Sequence, residues 1–110
     1  MTLGQKQRRF SLAIANLILA ADRMGYAVTF GDAYRDPRLH GAIGEARGYG
    51  HPRSAHKMRL AVDLNLFKDG VYLTGGWAHA PLHDVWDAMG GAPRIAHDMN
   101  HYSFEHDGMR

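Results

Sequence analysis

The chain has 110 residues, with 13 Lys and Arg against 11 Asp and Glu, eight His and no Cys. That length suits one domain over residues 1–110, and a 45% hydrophobic content supplies a small core and excludes wholesale disorder. The missing Cys excludes disulfide scaffolds, Cys zinc knuckles, iron–sulfur sites and thiol catalysis, while a formal charge of +2 is too small to name a polyanionic partner.

Phe10, Ile14, Leu17, Ala21 and Met24 recur at three- and four-residue spacing, so residues 4 to 24 are expected to form one amphipathic helix. Thr2-x-x-Gln5 has the form of a capping box, and Gly25 stands where a glycine ends a helix. Lys6, Arg8 and Arg9 before an apolar stretch also have the outline of a secretory signal, but Ser11 and Asn16 interrupt it. A helix of the folded domain is the preferred reading. No run approaches the ~20 apolar residues of a membrane span, so no membrane insertion is expected.

Ala27–Phe30 reads as a strand, and residues 36 to 53, with Pro37, Gly41, Gly44, Gly48, Gly50 and Pro52, read as a long loop. Residues 60 to 67 form the clearest strand: Leu60, Val62, Leu64 and Leu66 alternate with Ala61, Asp63, Asn65 and Phe67. Lys68-Asp69-Gly70 turns this strand into Val71-Tyr72-Leu73. A short helix follows Pro81 and closes at Gly90-Gly91, and residues 94 to 104 read as one or two short strands around a turn. The expected class is α+β, a small antiparallel sheet with helices packed on one side.

The alternation in residues 60 to 67 sends the aliphatic set into the core and leaves Asp63 on the other face. A mid-strand Asp is disfavoured and calls for a reason. His56, seven residues earlier at the end of the glycine-rich loop, can meet it, and an imidazole beside a carboxylate begins a zinc site. A third ligand is open among His79, His83, His97 and His101. His79-x-x-x-His83 begins at a Pro-led helix start and reads as a surface pair. His97-Asp98-x-x-His101 imitates the zincin motif, but Pro93, Asn100, Tyr102 and Ser103 favour turn and strand over the helix that motif needs. His40, His51 and His106 read as solvated loop residues, and Tyr34, Trp77 and Trp86 as core or cleft-wall aromatics.

Ser54-x-His56, with Ala61 and Asp63, resembles the Ser-x-His-x-x-Gly-x-Ala-x-Asp motif of a zinc peptidase family. That family comprises metallo D-Ala-D-Ala carboxypeptidases and the L-alanyl-D-glutamate endopeptidases of phage endolysins. Asp98-Met99-Asn100-His101 resembles the family's late acid-x-x-His, and Tyr34-Arg35-Asp36 its Tyr-Arg segment. Two positions depart from the pattern. Arg59 replaces the motif Gly, and Ile95-Ala96-His97 stands where many relatives carry Trp-Gly-Gly.

The resemblance implies a metallo DD-peptidase or hedgehog-like fold and one Zn²⁺ per chain held by His56, Asp63 and His101. It further implies Asp98 as general base, and Arg35 as substrate ligand and oxyanion stabiliser; Ser54 is a second hydrogen-bonding group for ligand or substrate. The implied partner is bacterial peptidoglycan, cut by a monomer that accumulates in a host cytoplasm and reaches the cell wall after release. D-Ala-D-Ala trimming and an inactive zinc-binding module are the alternatives on the same fold. A His/Asp metal-dependent nuclease is a weaker one, since the ten Arg are scattered and no nucleic-acid face is expected.

Overall fold

Thr2 and Gln5 cap the first helix reciprocally: Thr2 Oγ1 accepts from the Gln5 N–H at 3.2 Å, and Gln5 Oε1 accepts from the Thr2 N–H at 2.8 Å. In the computed structural model, which describes residues 1–110, this helix (α1) spans Leu3–Arg23. It ends at Gly25, whose φ of +88° is a conformation natural to glycine. No helix is long and apolar enough to cross a membrane.

Strands β1 (Ala27–Phe30), β2 (Ala61–Lys68), β3 (Val71–Tyr72) and β4 (His101–Ser103) form one antiparallel sheet with β2 at its centre. β1 pairs with the second half of β2, Ala27 opposite Phe67 and Phe30 opposite Leu64. The β1 edge continues as Gly31 donates to the Asp63 carbonyl at 2.8 Å and Asp63 donates to the Asp32 carbonyl at 2.7 Å. β3 and β4 share the opposite edge, with Asp63 directly opposite His101.

The alternation expected in β2 is present: Leu60, Val62, Leu64 and Leu66 are buried. They pack with Phe10, Ile14, Leu17 and Ala21 of α1 and with Leu82 and Trp86 of helix α3 (Ala80–Ala88). Phe10, Trp86 and Phe104 close one end of this core, with Trp86 stacked on Phe104 at 5.3 Å. Trp86 Nε1 also donates to the Ser103 carbonyl at 3.0 Å, which fixes β4 to α3. The chain is therefore α+β, as expected.

The glycine-rich segment is more ordered than its composition implies. Asp36 caps a single helical turn, α2 (Pro37–His40), and Lys57 Nζ donates to the carbonyls of His40, Ala42 and Glu45 at 2.9–3.0 Å. His40 is not solvated. It is buried, packed edge-on against Tyr49 with Nδ1 3.2 Å from that residue's carbonyl.

A 3-10 turn over Ala55–Met58 leads into β2 through Arg59, which takes the left-handed conformation at φ 57°, ψ 34°. Its guanidinium lies 3.9 Å from the centre of the Tyr34 ring. At such a position Ala is worse than Gly, the reverse of the order in a helix or strand. Arg59→Gly is therefore expected to be more stable than Arg59→Ala by about 1 kcal/mol in denaturant unfolding; an Ala variant at least as stable as the Gly variant would contradict the left-handed assignment.

Candidate metal centre

Three local decisions bring the site together. Ser54 caps the 3-10 turn, accepting from the His56 N–H at 3.2 Å, and this places the His56 ring beneath the first residues of β2. The two-residue alternation of β2 turns Asp63 away from the aliphatic face. The β2–β4 register then sets His101 beside it. Gly31 makes room for the carboxylate, since a Cβ there would come within 3.1 Å of the Asp63 Cβ.

His56 Nε2 lies 3.2 Å from Asp63 Oδ1, His101 Nδ1 lies 3.5 Å from the same oxygen, and the two nitrogens are 3.2 Å apart. The edges of a tetrahedron around an ion with bonds of ~2.0–2.1 Å are about 3.3–3.4 Å long, so the three donors already have the spacing of three vertices. His56 Nδ1 donates to the Ala33 carbonyl at 2.8 Å, which leaves Nε2 of the neutral ring as a bare acceptor facing the site. Asp63 Oδ1 is buried and has no hydrogen-bond partner. Bare acceptors held this close are unfavourable unless a cation sits among them. Burial by itself would raise the Asp63 pKa; positive charge and hydrogen bonds from the His101 and His56 rings, when these carry the extra proton in place of a cation, outweigh it and hold the carboxyl below the usual range. His56, Asp63 and His101 thus form a group able to hold a metal ion.

The remaining candidates gather around the group. Asp98 is half-exposed, with Oδ2 3.9 Å from His101 Nδ1. It is carried by a turn, not a zincin helix: the chain from His97 to Asn100 is irregular, and His97 has φ +64°. Arg35 is nearly buried, its Nε donating to Asp32 at 3.4 Å and its Nη1 to Ser54 Oγ at 3.1 Å, with Tyr49 packed 5.5 Å away. Ser54 is therefore engaged in fixing Arg35 and His56, while its hydroxyl hydrogen remains for the cleft. Arg35, Ser54, His56, Asp98 and His101 all line one cleft of about 500 Å³, where Arg53 and Arg110 add positive charge.

The pair read as surface histidines, His79 and His83, is buried. Both support the metal-site turn from behind. His83 stacks on Tyr102 at 4.2 Å, and its Nε2 donates to the Met99 carbonyl at 2.6 Å. The Tyr102 hydroxyl and His79 Nδ1 are hydrogen-bonded to each other at 2.7 Å. The signal was present in the sequence, because His79, Leu82, His83 and Trp86 share the i, i+3, i+4, i+7 spacing of a buried helical face.

No protein-family model matches the chain, and no curated protein or solved structure matches it either.

Two outcomes follow from this geometry. One divalent transition-metal ion per chain is expected, read as Co²⁺ d–d absorption on titration, and His56→Ala or His101→Ala should each abolish the stoichiometric signal. Full stoichiometry in both variants would place the ion elsewhere. Separately, burial, with the charge of His83 adding, lowers the His79 pKa from the ordinary 6.5 to about 4. Between those values the unfolded chain binds a proton that the folded chain does not, so stability falls as pH drops through this window, by up to about 3 kcal/mol for this group. Denaturant unfolding at successive pH values should give a shallower slope for His79→Gln than for the natural chain, and equal slopes would contradict the assignment.

Proposed function

We propose that the protein is a zinc-dependent hydrolase of the peptidoglycan stem peptide, an L-alanyl-D-glutamate endopeptidase of the phage-endolysin type on a metallo DD-peptidase or hedgehog-like fold. The observation that carries this reading is a cleft lined by two imidazoles that share tetrahedral spacing with the Asp63 carboxylate behind them, with the Asp98 carboxylate and an anchored Arg in the same cleft. Further support comes from the two departures from the family motif. Arg59 and His97 replace glycines of that pattern, and both adopt the positive φ, 57° and 64°, that glycine takes readily. Both positions thus hold a backbone conformation that a glycine would also favour.

Two nitrogen donors and one carboxylate favour zinc over Ca²⁺ or Mg²⁺, which prefer all-oxygen shells. Bound there, zinc supplies Lewis acidity, lowering the pKa of water and polarising a carbonyl. The protein residues supply the remainder. Asp98, half-exposed at the mouth of the cleft, takes the proton of the attacking water and passes it to the leaving amine. Arg35 is held from two sides while its Nη2 makes no hydrogen bond within the protein, so this edge of the guanidinium is available to the scissile carbonyl as negative charge develops on its oxygen. Arg53 and Arg110 extend the positive field over the carboxylates of the stem peptide. The proposed setting is a host cytoplasm, with access to the wall after release.

The reading is tested by digesting purified peptidoglycan with and without a chelator and identifying fragments by mass spectrometry. New L-Ala C-termini paired with free D-Glu amines are expected, lost on chelation and restored by Zn²⁺. Free D-Ala instead would assign the carboxypeptidase activity, and no fragments from zinc-loaded protein would leave a binding module. Asp98→Asn should retain the metal and lose about 10²–10⁴-fold in turnover; unchanged turnover would remove Asp98 from the mechanism.

A further inference from the structure

A second cleft, of about 490 Å³, meets the metal cleft at Asp98, which lines both. Its character differs. The metal cleft carries Arg35, Arg53 and Arg110, whereas the second has no Lys or Arg and is lined by uncharged polar and aromatic groups, among them Tyr72, Thr74, Trp77 and Asn100. Trp77 is 77% exposed, a costly position for the largest side chain unless something covers it. Its indole lies against the Gly75 backbone. A Cβ on Gly75 would collide with the ring's Nε1 and Cδ1, so the glycine lets the indole rest against the backbone, backed on one side and open on the other. The 3-10 turn Gly76–His79 that carries it is held in turn by the buried contact of His79 with Tyr102.

We infer that this second cleft is a saccharide subsite, with Trp77 as the platform on which a sugar ring stacks and the polar lining as its hydrogen-bonding wall. A backed, solvent-facing indole beside uncharged donors and acceptors suits a neutral pyranose, whose C–H face is apolar and whose rim is polar. The inference rests on the peptidoglycan reading for which sugar is bound, and it sharpens that reading. In a stem peptide the amino sugar is joined directly to L-Ala, while the free carboxylates begin with D-Glu. A substrate lying across Asp98 with its L-Ala–D-Glu bond at the metal group places the neutral sugar in the cleft without Lys or Arg and the carboxylates among the arginines. The D-Ala–D-Ala bond lies at the far end of the stem, where no sugar would reach Trp77. The platform thus selects the first bond of the stem.

Tryptophan fluorescence tests this without hydrolysis, because the only other indole, Trp86, is fully buried in the core. Titration with an N-acetylglucosamine trisaccharide should change the emission of the natural chain saturably. The change should be absent in Trp77→Ala, and Gly75→Ala, which keeps the indole but displaces it, should weaken binding at least tenfold. No saturable change, a change that persists in Trp77→Ala, or a response to sugar-free stem tetrapeptide in place of the trisaccharide would overturn the subsite. In hydrolysis, kcat/KM for a disaccharide-linked tetrapeptide should exceed that for the free tetrapeptide at least tenfold, and Trp77→Ala should erase the preference while leaving the free peptide unaffected. A preference unaltered by Trp77→Ala also overturns it. Saccharide binding through Trp77 with neither substrate cleaved would uphold the subsite and sink the peptidase reading.

Discussion

The Asp63 carboxylate, set in the middle of the central strand with two imidazoles converging on one of its oxygens, is the constraint around which the molecule is arranged. Its Oδ1 is buried and unpartnered, 3.2 Å from Nε2 of a His56 ring whose Nδ1 donates to the Ala33 carbonyl. An uncompensated charge in such a place costs several kcal/mol. A cation shared with His56 and His101 would convert that cost into binding free energy and so couple ion binding to folding. Rigid elements deliver all three donors: a capped 3-10 turn, the central strand and its hydrogen-bonded partner.

Support for the site extends in layers behind it. The Ala33 carbonyl orients His56, and Ser54 links His56 to Arg35. His83 and Tyr102 lie beneath the turn that carries Asp98. Two strained residues, Arg59 and His97, flank the ligand-bearing segments at positive φ. Each is a position where a β-carbon costs roughly 1 kcal/mol or more. For Arg59 the compensating contact is the Tyr34 ring.

Much of this was legible in the sequence because it rests on local rules. The period-two pattern of residues 60 to 67 shows which face Asp63 occupies, the Thr2–Gln5 box marks a helix start, and Gly25 marks its end. The convergence of His56, Asp63 and His101 was legible only through motif spacing, since 38 residues separate Asp63 from its cross-strand neighbour His101. A Pro-led helix start points to a surface pair at His79 and His83, yet both are buried. Their place on the Leu82–Trp86 face, and stacking against a tyrosine, outweigh the cost of burying a neutral imidazole. The helical turn at Pro37–His40 and the burial of His40 depend on Lys57 binding three carbonyls, a tertiary contact that composition does not encode. The gathering of Arg35, Arg53 and Arg110 at one cleft, from a scattered set, is likewise a product of the fold.

The convergence of three donors on one ion is best examined by X-ray absorption at the zinc edge of the loaded, full-length chain. Two imidazole nitrogens and one carboxylate oxygen at about 2.0–2.2 Å, with one further oxygen completing a four-coordinate shell, are the expected result. A shell with three or more imidazoles, or one built only of oxygens, would contradict the account.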